Sequence, residues 1–152
     1  MKILVTGANG FVGKNLCAQL NNIKEGKALC YGELTIEEVF RYDIDSTPEE
    51  LDYFCAEADF VFNLAGVNRP NNSEEFMQSN FGFASTLLDT LKVHKNTAPV
   101  MLSSSAQASL SGRYGNSEYG RSKKAGEELF FNYSTDTGAR VLVYRFPNLY
   151  GK

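Results

Sequence analysis

The chain has 152 residues, 43% hydrophobic and 22% charged, with a formal net charge of −3. That length suits one domain with a real core, and a mildly acidic chain without a Lys/Arg cluster has no footing for nucleic acid. No apolar run nears the roughly 20 residues of a bilayer span, no secretory leader precedes the first apolar run, and three scattered cysteines make neither a disulfide frame nor a metal site. A soluble cytoplasmic protein with reduced thiols is expected, with no metal and no membrane partner.

Lys2-Ile3-Leu4-Val5-Thr6 is a short apolar run of the buried parallel-strand type. It leads into Gly7-Ala8-Asn9-Gly10-Phe11-Val12-Gly13 and then into a helical pattern from Lys14 to Leu20. Strand, glycine-rich turn and helix in that order make an anion site, because the turn lets backbone approach a diphosphate and the helix N-terminus aims free N–H groups at it. Gly7 serves the tight turn, Gly10 the close approach and Gly13 the packing of helix on strand.

From Ile23 to Thr35 no period is visible, and the stretch reads as an irregular connection. Glu38 to Asp43 is a second strand. Ser46/Thr47-Pro48-Glu49-Glu50 starts a helix running to about Ala56: a capping hydroxyl, Pro in the first turn and acids favoured by the dipole. Phe60 to Leu64 is a buried strand ending at Ala65-Gly66. Asn71-Asn72-Ser73 caps a long helical region reaching about Lys95, whose His94 reads as a solvated surface group. Pro99 to Ser103 is the next strand, Ser104 to Glu118 a polar loop, Tyr119 to Tyr133 an amphipathic helix and Arg140 to Arg145 the last strand.

Alternating strands and helices predict an α/β fold: a Rossmann-type, doubly wound parallel sheet. The strands are expected in the order second, first, third, fourth, fifth, so the winding reverses between the first and third. Ligands of open α/β sheets bind at such a reversal, outside the strand carboxyl ends. The glycine turn, Asn63-Leu64-Ala65-Gly66 and Ser103-Ser104-Ser105 all fall there.

Tyr119-Gly120-Arg121-Ser122-Lys123 carries the strongest chemical signal. Tyr and Lys four apart on a helix share a face. A free phenol titrates near pH 10, too high for acid–base work at neutrality, and a neighbouring ammonium is expected to lower it. Ser105, at the end of a strand bordering the same crevice, has the reach to hydrogen-bond a substrate carbonyl.

With Thr6 to Gly13, Leu64-Ala65-Gly66, Asn80, Ser103 to Ser105, Tyr119 to Lys123 and Arg145-Phe146-Pro147-Asn148-Leu149-Tyr150-Gly151, the whole chain resembles the extended branch of the short-chain dehydrogenase/reductase superfamily, the NAD-dependent epimerase/dehydratase family. Gly66-Val67-Asn68-Arg69-Pro70 and Ser103 to Ala108 look most like the reductase domain of bifunctional capsular-polysaccharide reductase/epimerases. Nothing in the chain resembles their second, cupin domain. The resemblance implies a catalytic trio of Tyr119, Lys123 and Ser105: the tyrosine moves the proton, the lysine holds the nicotinamide ribose, and the serine orients the reacting oxygen. It implies cofactor contacts from Gly7, Asn9, Gly10, Phe11, Val12, Gly13, Leu64, Ala65, Gly66, Ser103, Tyr119, Lys123 and Phe146. Asn68, Arg69, Asn80 and Asn148 are the implied contacts to a UDP-linked sugar.

The activity so implied is NAD(P)-dependent reduction of a 4-keto nucleotide sugar, in the UDP-N-acetyl-L-fucosamine precursor route of capsule or O-antigen biosynthesis. A nucleotide-sugar 4-epimerase uses the same three groups, and a non-catalytic nucleotide-binding domain keeps the same fold. Dehydration is disfavoured, since the acid pair that dehydratases carry after the catalytic hydroxyl is replaced by Ala106 and Gln107. An acid ending the second strand binds the adenosine ribose and selects NAD, whereas Arg there accepts the phosphate of NADP. Asp43 holds that place, with Arg41 just before it, so the cofactor is NADP or NAD. Extended members are about twice this length, so residues 1–152 are expected to form the dinucleotide-binding domain, the N-terminal part of a longer enzyme stopping before the substrate domain. Alone, that part is expected to be nearly inactive, and its exposed last-strand edge to favour homo-oligomers.

Overall fold

The computed structural model describes residues 1–29, 32–66, 81–109, 117–147 and 149. Five parallel strands form the sheet: β1 Lys2–Thr6, β2 Glu38–Tyr42, β3 Phe60–Asn63, β4 Val100–Ser105 and β5 Val141–Phe146. Among the described residues four α-helices connect them: α1 Phe11–Lys24, α2 Pro48–Glu57, α3 Phe83–Val93 and α4 Glu118–Thr137. The strand order is β2-β1-β3-β4-β5, as the sequence predicts. From β1 the chain steps to one side, then returns past it and winds the other way, so the carboxyl ends of β1 and β3 flank the switch point.

Alternation along β1 divides the core. Ile3 and Val5 pack with Cys17 and Leu20 of α1 on one face. Leu4 turns to the other, where Leu51 and Cys55 of α2, Leu87, Leu88 and Leu91 of α3, and Phe130 and Tyr133 of α4 close over Val61, Val100 and Leu102. Cys17 and Cys55 are buried free thiols, and burial pushes the Cys55 thiol up to about 12. Instead of standing free in solvent, His94 pairs with Asp52 at 2.7 Å and ties the end of α3 to α2. No helix among the described residues is long and apolar enough to cross a membrane.

Local signals explain the element ends. Thr47 Oγ1 accepts from the Glu50 amide at 3.2 Å, and the Thr47 amide donates to Glu50 Oε2 at 2.7 Å. This reciprocal cap, with Pro48 at the first helical position, starts α2 where the sequence predicts. Helix α4 opens with Ser117 Oγ accepting from the Gly120 amide at 3.0 Å. It ends at Gly138, whose φ of 74° suits a residue without Cβ.

Several boundaries differ from expectation: α1 runs from Phe11 on to Lys24, α4 continues to Thr137 and β5 spans Val141–Phe146. β4 runs through Ser104 and Ser105, which the sequence reads as loop, because β5 pairs with it in register as far as Ser105 opposite Phe146. Backbone pairing there overrides the poor strand preference of serine. The polar stretch then makes one 3-10 turn, Ala106–Ser109. The described part of the long third helical region is α3, and its expected start near Asn71 lies outside the described residues.

Candidate active site

The glycine turn follows β1 directly. Gly7 has φ +69°, and a Cβ there would stand 2.7 Å from the Ala65 nitrogen and the Leu64 carbonyl carbon. The turn therefore lies against the end of β3. At Gly13 a Cβ would come within 2.1 Å of the Gly7 carbonyl oxygen, so α1 and the turn touch backbone to backbone. Gly10 caps α1 and brings no side-chain oxygen to the first-turn amides. Those amides are the donors an anion would use.

A cleft of about 850 Å³ opens at the switch point. Of the expected cofactor and catalytic residues, Gly7, Gly10, Phe11, Val12, Gly13, Leu64, Gly66, Ser103, Ser105, Tyr119, Lys123 and Phe146 line it. Ser104, Gln107, Pro147 and Leu149, none of them among the expected cofactor or catalytic residues, line it too. Their signal was position alone, each adjoining an expected residue or the strand end. Ala65, Asn9 and Asp43 stand behind or beside this lining. The Ala65 amide donates to Thr6 Oγ1 at 3.4 Å. Asn68, Arg69, Asn80 and Asn148 lie outside the described residues.

Asp43 braces the turn. Its carboxylate accepts from the Asn9 amide at 2.7 Å and from the Ile44 amide at 2.8 Å. The Asn9 side chain donates to Asp45 at 3.2 Å and accepts from Arg41 at 3.4 Å. An acid and a guanidinium thus meet at one rim of the cleft, both anchored on the glycine turn.

At the other end, α4 lies over the end of β4. The Tyr119 phenol is half-buried and shares a hydrogen bond with Ser105, whose Oγ also accepts from the Gln107 amide at 3.2 Å. Lys123 is 8% exposed; its Nζ lies 5.6 Å from the centre of the Tyr119 ring and donates to the Ser103 carbonyl at 3.5 Å. The three expected groups do converge. Their electrostatics differ from expectation: burial pushes the Tyr119 phenol up, the Ser105 hydrogen bond pulling it partly back. Burial also pushes the Lys123 ammonium down. Desolvation of the phenolate outweighs a lysine that sits over the ring face and is turned toward a backbone carbonyl.

One cluster beside the site was not read from the sequence. The Glu127 carboxylate, 3% exposed, accepts from Ser104 Oγ at 2.6 Å and from Arg145 Nε and Nη2 at 2.9 and 2.7 Å. Its available signal was the repeat of four from Tyr119 through Lys123, which keeps Glu127 on the same helix face.

Several known proteins resemble this chain in sequence or in fold. The chain is 38% identical over 152 residues to the UDP-2-acetamido-2,6-beta-L-arabino-hexul-4-ose reductase of Pseudomonas aeruginosa, covering 100% of this chain and 37% of the reductase. Among solved structures, the capsular polysaccharide assembling protein CapF from Staphylococcus aureus matches with a TM-score of 0.77 and 35% identity, over 100% of this chain and 36% of CapF. The UDP-glucuronic acid 4-epimerase from Bacillus cereus, in complex with NAD, shares the fold with a TM-score of 0.76 at 20% identity, over 99% of this chain and 58% of the epimerase. The chain thus spans little more than a third of the reductase and of CapF. The pattern that unites the glycine turn with the Tyr119–Lys123 helix extends over residues 3–152, and by it the chain belongs to the NAD dependent epimerase/dehydratase family.

Proposed function

We propose that the protein reduces the C4 ketone of a UDP-linked sugar, using NADH or NADPH. One observation carries this reading: Tyr119, hydrogen-bonded to Ser105 and backed by Lys123, stands in the same cleft as a glycine turn with uncapped helix amides. The 38% identity to a hexul-4-ose reductase supports a 4-keto sugar as the substrate class.

The residues present fit a dinucleotide. The spaces that Cβ atoms would fill at Gly7 and Gly13 are closed by backbone, while at Gly10 the nearest atom stands 3.3 Å away and the turn is open to the cleft. The first-turn amides of α1 would hold the diphosphate, and Lys123 would hold the nicotinamide ribose. Such a cofactor supplies the hydride that reaches C4.

This chain's groups supply the proton. Ser105 holds the ketone oxygen, and Tyr119 gives that oxygen its phenolic proton as C4 turns tetrahedral. C4=O becomes CH–OH, and the phenolate regains a proton from solvent. The upward push on the Tyr119 phenol keeps it protonated at neutral pH, the state a reductase starts from. Lys123 steadies the phenolate until the proton returns.

The test is turnover of the UDP-linked 4-keto sugar by the natural full-length protein, with the nicotinamide followed by absorbance. Consumption of one NAD(P)H per sugar is expected. Tyr119→Phe should lower kcat by about 10²–10⁴ with cofactor affinity nearly unchanged. Inversion at C4 of the corresponding UDP-linked 4-hydroxy sugar, without net NAD(P)H consumption, would establish a 4-epimerase instead, and cofactor binding without turnover of either sugar a non-catalytic domain.

A further inference from the structure

Three consecutive serines at the end of β4 meet three successive turns of α4. Ser105 hydrogen-bonds Tyr119, the Ser103 carbonyl takes a bond from Lys123, and Ser104 donates to Glu127. Tyr119, Lys123 and Glu127 are spaced by four and share one helix face. The first two contacts belong to the reacting groups. Glu127 is the third rung, set back from the cleft and 3% exposed.

Its partners explain why a carboxylate is buried there. Ser104 and Arg145 are paired residues across β4 and β5. Both reach the same carboxylate, Arg145 through two nitrogens. A forked guanidinium on a carboxylate fixes direction as well as distance. An apolar side chain there would hold α4 on the sheet by shape alone, without bonds that fix direction as well as distance. We infer that Glu127, clamped by Ser104 and Arg145, is a positioning residue that sets the register of α4 on β4 and so places the Tyr119 hydroxyl and the Lys123 ammonium. The inference rests on the reading of Tyr119 and Lys123 as the proton-transfer pair.

Glu127 does not line the cleft, so it would touch neither substrate nor cofactor. A shift of α4 by about 1 Å would carry Tyr119 off Ser105, and misplacement of that size costs on the order of 10² in rate. Cofactor affinity would change less, because Lys123 supplies one of its contacts while the diphosphate cradle is on α1 and does not move with α4.

The experiment uses the natural full-length protein and three variants: Glu127→Gln, Arg145→Lys and Ser104→Ala. Steady-state kinetics give kcat and the KM for cofactor. Tyrosine labelled with ¹³C at Cζ reports titration of the Tyr119 phenol, assigned by its loss in Tyr119→Phe. Glu127→Gln should lower kcat by about 10²-fold with the cofactor KM within about threefold of wild type. Its Tyr119 midpoint should move upward, because the Ser105 hydrogen bond is what holds it down. Arg145→Lys, which keeps the charge but not the fork, should show both effects to a smaller degree. Should Glu127→Gln not fold, Ser104→Ala decides, with at least about a threefold fall in kcat and the same upward movement. A folded Glu127→Gln enzyme with wild-type kcat and an unmoved Tyr119 midpoint overturns the inference. So does a loss of kcat that only follows a fall in thermal stability. If wild-type protein reduces no keto sugar, the functional reading fails, while the Tyr119 titration still decides the role of Glu127.

Discussion

Thr6 donates its hydroxyl hydrogen to Asn63 Oδ1 across the β1–β3 pair, at 2.6 Å and fully buried. Thr6 Oγ1 also accepts from the Ala65 amide at 3.4 Å. A single hydroxyl thus joins the two strand ends between which the cleft opens, just below the contact of Gly7 with Leu64.

Thr6→Val tests that join. Valine keeps the shape and the strand preference of threonine, so the change isolates the hydroxyl. It leaves the Asn63 side-chain oxygen without its buried partner, a loss of about 1–3 kcal/mol. Urea unfolding should show the lower midpoint, and Thr6→Ser should restore most of it. An unchanged midpoint in Thr6→Val would rule out an energetic role for the bond.

The glycines separate folding from binding. An alanine at Gly13 puts its Cβ 2.1 Å from the Gly7 oxygen and 2.8 Å from the Ala8 Cα, both backbone, so no rotamer change relieves the clash. Gly13→Ala should cost about 3 kcal/mol or more, at the upper end of overpacking. At Gly10 the nearest atom is the Gly7 oxygen at 3.3 Å, a contact that a small shift accommodates. Gly10→Ala should therefore melt close to wild type yet bind NADH at least about tenfold more weakly, because its methyl group occupies the approach to the α1 amides. Melting curves and calorimetry on both variants check the pair. Equal melting of the two variants would contradict the packing role of Gly13.

Much of this was legible because the signals are local. A strand run followed at once by a glycine turn, the Thr47-Pro48-Glu49-Glu50 start and the Tyr119–Lys123 spacing each fit within a few residues. The strand order followed from the alternation of elements. What escaped reading depends on distant partners. Ser104, Glu127 and Arg145 are bonded across 18 and 23 residues of chain, and Asp43 meets Asn9 across 34. Serine's preference for loops hides the end of β4 in the sequence, and pairing with β5 decides the matter. The direction of the Tyr119 shift required knowing that the phenol is half-buried and that Lys123 faces the Ser103 carbonyl.

Acid should weaken the fold through Glu127. The Arg145 guanidinium, and after it Ser104, hold its carboxyl below the usual carboxylate range against the opposing effect of burial. A depressed folded-state pKa means that the unfolded chain binds the proton more readily. Its stabilisation is therefore complete above the ordinary Glu pKa of about 4.3 and fades as pH falls through the lower folded-state value. Denaturant unfolding between pH 7 and pH 3 should show stability falling below about pH 4.3. Glu127→Gln should be less stable at neutrality and show a shallower acid slope. Parallel curves for the two proteins would exclude Glu127 as a contributor to acid unfolding.

Cofactor choice turns on the rim where Asp43 and Arg41 meet at Asn9. Two backbone amides fix the Asp43 carboxylate, yet each of its oxygens has acceptor capacity left for a ribose hydroxyl. A carboxylate anchored there repels a 2′-phosphate. Arg41 is tied to Asn9 by one long bond of 3.4 Å, which leaves most of its donors for that phosphate. The shorter, doubly held Asp43 should dominate, giving NADH about a tenfold advantage over NADPH, or roughly 1.4 kcal/mol. Asp43→Asn keeps the acceptor for the Asn9 amide while removing the charge, and should bring the two affinities close together. Arg41→Ala should weaken NADPH and leave NADH nearly unchanged. Calorimetry with both cofactors on the three proteins measures this directly. Tighter binding of NADPH by the wild-type protein would transfer the specificity role from Asp43 to Arg41, leaving Asp43 as the brace of the glycine turn alone.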